Sequence, residues 1–264
     1  MDNLALKLVL TPALIGAATL AGRRWGQSVG GWLVGLPLTT GPVAFFIALD
    51  HGAAFGAAAV VGSLAGAAAE AAFSVAYGWS ATRGSWPPAL LAGSAAYAVT
   101  AAVLQPFGLG PAALFGLVVA ALAVSIRLMP AVAGGAAAAA PPRWDLPARM
   151  VLATAVVLTL TALAPRLGAR WSGLLATYPL FAAILSAFGH RVQGAGAALS
   201  VLRGLLFGLF SFAAFCLVLA VGLVPLGIAA AFAVAIVVAL LVQGIALWRL
   251  RASRLREPLD YREG

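Results

Sequence analysis

Apolar residues run along this chain in stretches of about twenty, the length needed to cross roughly 30 Å of hydrocarbon. Short polar, glycine or proline clusters separate them. The stretches predict nine helices, at roughly 4–22, 29–50, 53–78, 88–105, 110–129, 147–164, 171–190, 195–222 and 225–248. Arg23-Arg24 divide the first two, Asp50-His51-Gly52 the next pair, and Arg83-Gly84-Ser85 with Pro87-Pro88 open the fourth. Gln105-Pro106-Phe107-Gly108 make a turn before the fifth, and the Ala/Gly/Pro stretch from Pro130 to Pro142 reads as a linker. The runs are continuous and do not alternate, which argues against a β-barrel. The predicted fold is all-α and polytopic.

Composition agrees. The 264 residues are 63% hydrophobic and 9% charged, with mean hydropathy +1.05, whereas a soluble domain carries about a quarter charged residues. The net charge of +9 sits between apolar runs, so it points to membrane topology and anionic headgroups, with no nucleic-acid partner. With nine spans, three Lys/Arg fall on the N-terminal face (Lys7, Arg166, Arg170) and thirteen on the other: Arg23, Arg24, Arg83, Arg127, Arg143, Arg149, Arg191, Arg203 and five in the tail. The positive-inside rule then places the N-terminus outside and the tail in the cytoplasm. Asp2 precedes the lone Lys7 and Arg23-Arg24 follow the first run, the reverse of a cleaved signal's charge order. The seven tryptophans all lie near predicted span ends, as an aromatic belt requires. The single cysteine, Cys216, excludes an internal disulfide and a cysteine-based metal cluster.

The chain also repeats itself. Gly31-x-Leu33-x-x-x-Pro37-Leu38 returns 142 residues later as Gly173-x-Leu175-x-x-x-Pro179-Leu180. Arg24-x-Gly26 returns as Arg166-x-Gly168, Gly62-x-Leu64-x-Gly66 as Gly204-x-Leu206-x-Gly208, and Ala71-Ala72-Phe73 as Ala213-Ala214-Phe215. Fifteen of the 56 positions from 20 to 75 match, where this composition would give about half as many by chance. The expected organisation is a first membrane repeat over 1–108, a linking helix and loop over 109–143, a second repeat over 144–250 and a charged tail over 251–264. Five spans precede the second copy, so the two copies are expected in inverted topology.

The candidate chemistry lies where these spans are interrupted or charged. Pro37 and Pro42, with Gly35 and Gly41, predict a broken helix that frees backbone carbonyls beside Thr39 and Thr40 near the midplane. Thr177-Tyr178-Pro179 is the milder counterpart in the second copy. Ordinary proline kinks are the competing explanation. Glu70 is the only acid deep in a predicted span, and its repeat equivalent is Phe212. A carboxylate there costs several kcal/mol unless paired, solvated or protonated. Arg203 falls at a similar depth, roughly 12 Å from the same face, which predicts a Glu70–Arg203 pair or shared polar pocket, of structural or functional purpose. The Gly62/Gly66 and Gly204/Gly208 pairs are expected to let the third and eighth helices approach each other. Arg24 and Arg166 are equivalent positions suited to gating or, more commonly, to headgroup anchoring. His51 and His190 end spans, where histidines are ordinarily interfacial.

No P-loop, H-E-x-x-H or Gly-x-Ser-x-Gly occurs, and the two histidines fall at opposite predicted faces, so neither an enzyme nor a resident metal or other cofactor is expected. Gly173-Leu174-Leu175, Tyr178-Pro179-Leu180-Phe181-Ala182 and Val201-Leu202-Arg203-Gly204-Leu205-Leu206-Phe207-Gly208 resemble the GlpM family of small four-span inner-membrane proteins. The resemblance covers roughly residues 165–250, while the first copy matches mainly through Leu36-Pro37. It implies a bacterial inner-membrane location and an association with exopolysaccharide production, and carries over no catalytic residue. Two functions stand open. One is a transporter or channel for a small solute or ion, with a polar centre of Thr39, Thr40, Glu70, Arg203, Thr177 and Tyr178. The other is an accessory protein in an envelope biosynthetic complex. The expected partners are membrane lipids and the unidentified solute, with a homodimer or an envelope complex as further options.

Overall fold

The computed structural model describes residues 4–38, 40–104, 107–131 and 141–255. Among these residues it contains ten α-helices and no strand. They are α1 (Leu4–Trp25), α2 (Gln27–Val34), α3 (Thr40–His51), α4 (Ala53–Ala81), α5 (Trp86–Leu104), α6 (Pro111–Leu128), α7 (Asp145–Ala176), α8 (Leu180–Gln193), α9 (Ala195–Leu226) and α10 (Ile228–Leu255). Five of the described helices, α4, α5, α6, α9 and α10, are long and apolar enough to cross a membrane. The outward faces of α5 and α10 carry exposed Leu91, Val99, Val103, Ile236, Val237, Leu240 and Leu241, apolar surfaces suited to lipid.

Ten helices replace the expected nine because one predicted span is split, and a second boundary is shifted. The predicted 29–50 span is two helices, α2 and α3, with a turn at Gly35–Leu38 between them. The predicted boundary between 164 and 171 is absent, since α7 runs on to Ala176 and the chain breaks at Thr177–Pro179 instead. Pro179 has no amide hydrogen and its ring disfavours helical geometry at Tyr178, which accounts for the later break; α7 nevertheless runs through Pro165, so proline alone does not account for the shift.

Element boundaries recur at the spacing of the sequence repeat. α3 ends at His51 and α8 at Gln193, α4 begins at Ala53 and α9 at Ala195, and α5 begins at Trp86 and α10 at Ile228. The joints Gly52 and Gly194 have φ of +90° and +87°, a conformation that costs glycine little and side-chain-bearing residues a good deal. The two breaks share a hydrogen-bond pattern. Leu38 N donates to Leu36 O and Gly41 N to Pro37 O in the first, and Leu180 N to Tyr178 O and Ala183 N to Pro179 O in the second.

The core forms around α4 and α9. Gly56 near the start of α4 lies against Leu223 near the end of α9, and Gly78 near the end of α4 lies against Leu199 near the start of α9, so the two run antiparallel. Leu64, Phe73, Leu202, Leu205, Leu206 and Phe215 are fully or almost fully buried between these helices and their neighbours. α5 packs on α4 as α10 packs on α9, and α6 packs on both α4 and α9.

The small-residue motifs do not face each other as expected. A Cβ at Gly204 would collide with the Ser28 carbonyl, and one at Gly208 would meet the Trp32 carbonyl at 2.5 Å, so the α9 glycines seat α2. Gly66 faces Thr177, while a Cβ at Gly62 would meet nothing. Each motif thus addresses the interrupted segment of the other copy, because the breaks are the elements that approach closely enough to need a missing side chain.

Contacts join several helix ends into one end of the bundle. Arg23 Nη2 bonds Asp145 Oδ2 at 2.9 Å, Gln27 bonds Gln193 at 2.9 Å, and Trp79 Nε1 donates to the Leu128 carbonyl at 2.9 Å. Arg23, Arg24, Arg83, Arg127, Arg149 and Arg191 lie at or beside these helix ends. Asp145, fully buried, also bonds Arg149 Nε, and the Arg149 guanidinium lies 5.2 Å from the Phe188 ring. A buried arginine is tolerable only with such partners.

Candidate functional site

The two breaks share backbone geometry and differ in their surroundings. The first is closed by backbone and aliphatic contacts. Gly35 lies against Gly208, and a Cβ on either would come within 3 Å of the other's backbone. In a continuous helix the Trp32 carbonyl would accept from the Leu36 amide; here that amide turns to Leu33 O, and Gln243 Nε2 of α10 caps Trp32 O at 2.9 Å. The Trp32 indole returns the bond to the Gln243 carbonyl at 3.3 Å. Thr40 begins α3, partly buried, and Pro37 lies in the turn. Thr39 lies outside the described residues.

Polar groups gather around the second break. Glu70 stands on α4 four residues after Gly66 and seven before Tyr77, spacings that put all three on one face of a helix. That face meets Thr177 at Gly66, Tyr178 at Phe73 and His190 at Tyr77. From α5, Ser94 and Tyr97 occupy i and i+3 positions and reach the same segment. The Ser94 and Tyr178 hydroxyls lie 2.8 Å apart, and those of Tyr97 and Thr177 2.5 Å apart. Tyr97 and Tyr178 also meet edge to face, with ring centroids 5.4 Å apart. Gly93 admits the Phe73 ring against the α5 backbone, which closes the wall on that side. Pro179 is buried and ends the break.

Glu70 is only partly buried, and among the described residues nothing hydrogen-bonds or ion-pairs with its carboxylate. Tyr97 and Cys216 lie within electrostatic reach of it. The expected Glu70–Arg203 pair is not formed. Arg203 Nη2 donates to the Pro130 carbonyl at 3.1 Å instead, and its Nε is buried without a partner. Gly204, the next residue, faces α2 and turns Arg203 toward the loop after α6. Arg24 is exposed at the end of α1, with its guanidinium 5.7 Å from the Trp25 ring, an arrangement suited to the headgroup region. Arg166 lies on the backbone of α7, and its side chain is outside the described residues.

The constellation is one-sided. Moving each member by the repeat spacing gives Phe212 for Glu70, Leu219 for Tyr77, Ile236 for Ser94, Ala239 for Tyr97, Gly35 for Thr177, Leu36 for Tyr178 and Ala48 for His190. Every functional group has a non-polar counterpart. Ser94, Tyr97, Tyr77 and His190 follow no local motif and are missed by reading spans alone. Subtracting one copy from the other is the signal that finds them.

No protein-family model matches the chain, no curated protein is significantly similar to it, and no solved structure matches it.

Proposed function

We propose that the chain is a transporter of the bacterial inner membrane, built from two copies in inverted topology and working at the second break. The copies would be related by a pseudo-two-fold axis in the membrane plane, with the N-terminus outside and the tail cytoplasmic. The antiparallel course of α4 and α9, the recurring boundaries and the collected arginines support this arrangement. Inverted repeats with interrupted helices at a central site are the common architecture of secondary transporters. The first break serves as the fixed half and the second as the substrate half. Thr177, Tyr178, Ser94 and Tyr97 supply hydroxyls, and Glu70 supplies the charge.

The observation that carries this reading is the one-sided polar set around an unpaired carboxylate. Repeat duplication alone would have left both sides alike, and a purely structural carboxylate would have a partner, since an uncompensated one in hydrocarbon costs several kcal/mol. The GlpM resemblance fits a membrane role and adds no chemistry.

The test is electrophysiology on a solid-supported membrane with reconstituted protein, run across a panel of small cationic, neutral and anionic solutes. At least one class should give a transient current that Glu70→Gln reduces about tenfold or more. No current from any class, with correctly inserted protein, would contradict transport and leave the accessory role in an envelope complex.

A further inference from the structure

The polar set does not end at the break. From Glu70 it continues along one face of α4, through Ser74 and Tyr77, toward the basic end of the bundle. Tyr77 is fully buried, and its hydroxyl lies 3.5 Å from His190 Nδ1. His190 is itself 8% exposed and lies near the backbone of Gly84, in the exposed turn between α4 and α5. A titratable imidazole thus sits one residue deep beneath an aqueous surface, with a buried phenol behind it. Seven residues of helix, about 10 Å, separate that phenol from the carboxylate. The Tyr178 ring meets Tyr97 at 5.4 Å and Phe73 at 6.0 Å, Phe73 in turn meets Tyr77 at 5.8 Å, and the Ser94 hydroxyl lies 2.8 Å from that of Tyr178.

We propose that Glu70 exchanges a proton with the water at Gly84 through His190, Tyr77 and the Tyr178–Ser94 and Tyr97–Thr177 pairs, which couples the transport proposed above to protons. His190 takes a proton from water and passes one to the Tyr77 oxygen. Each hydroxyl releases its own proton to the next group as it accepts another. No hydroxyl is left charged, and the net change is one proton moved from water to the Glu70 carboxylate. On this route the proton would cross from Tyr77 to Tyr178 and from Tyr97 to Glu70 through intervening water.

The surroundings leave Glu70 as the one acid on this route. α5 presents Tyr97, the second break presents Tyr178, and α9 presents Cys216, while Arg203 of α9 is held by the Pro130 carbonyl. The only charged residue of α6 is Arg127, in its last turn, and those of α3 are Asp50 and His51, at its end. At the equivalent sites of the other copy the path reads Ala48, Leu219, Leu36, Ile236, Ala239 and Phe212, which cannot carry a proton. The route therefore opens to one side only, as a coupled cycle requires.

The inference rests on the transport reading, and its test is chosen to be separable from it. Infrared difference spectroscopy of the purified protein in lipid should show a protonated-carboxyl band on acidification that Glu70→Gln removes. After a rapid pH drop, His190→Ala and Tyr77→Phe should slow the rise of that band roughly tenfold or more. Tyr77→Phe keeps the ring that packs on Phe73, so its result stands if His190→Ala fails to fold. A band that rises at the wild-type rate in Tyr77→Phe, or the lack of any Glu70-dependent band, overturns the path. A solute current that ignores an imposed pH gradient would keep transport and overturn the coupling. A slowed band without any solute current would keep the path and overturn transport.

Discussion

Glycine and a few polar side chains set the character of each half of this molecule. Gly204 and Gly62 are both first members of a small-residue pair, yet only Gly204 touches a backbone. Gly204→Ala must push Ser28 away and should cost about 1–3 kcal/mol, whereas Gly62→Ala meets nothing and should leave stability within about 0.5 kcal/mol. Thermal unfolding of the two purified variants checks this; equal losses would mean that α2 and α9 are not in backbone contact. Glu70 was legible in the sequence because a lone acid in a long apolar run has no ordinary explanation. Tyr97, Ser94, Tyr77 and His190 were not, since a hydroxyl or a span-end imidazole is commonplace in membrane helices and gains meaning only from what lies across from it. Arg203 misled for the opposite reason. Its direction depends on which face of α9 its glycine neighbour commits to α2.

At the scale of elements, the two interruptions are built alike and used differently. Both are made by a proline with the same pattern of flanking backbone bonds. Their position was readable, because each holds a proline, which lacks an amide hydrogen and biases the residue before it, beside other breakers or polar residues. The boundary expected between 164 and 171 was misplaced: Pro165, Gly168 and two arginines resemble a break, yet α7 continues through them. What surrounds each break was not readable, because partners come from α10 in one case and from α4 and α5 in the other. Gln243 fastens the first break through the Trp32 carbonyl. Gln243→Ala should leave that carbonyl unsatisfied and lower stability by about 1–3 kcal/mol, seen as a lower midpoint in chemical denaturation, with Glu70-dependent transport retained. Loss of transport with unchanged stability would mean that the first break also moves.

At the scale of the molecule, the claim on which the rest depends is that two copies cross the bilayer in opposite senses. Only then do α4 and α5 of one copy close over the break of the other and leave a polar centre on one side of the symmetry. The repeat and the charge count already pointed to this in the sequence, while the one-sidedness emerged only when helices distant in the chain were brought together. Gly84 and Leu226 are equivalent positions, both exposed and both at turns between long helices. Cysteines placed there singly, with Cys216 replaced, can be labelled in intact spheroplasts with a membrane-impermeant maleimide. Leu226→Cys should react from outside, and Gly84→Cys only after the membrane is permeabilised. Reaction of both from the same compartment would contradict the account.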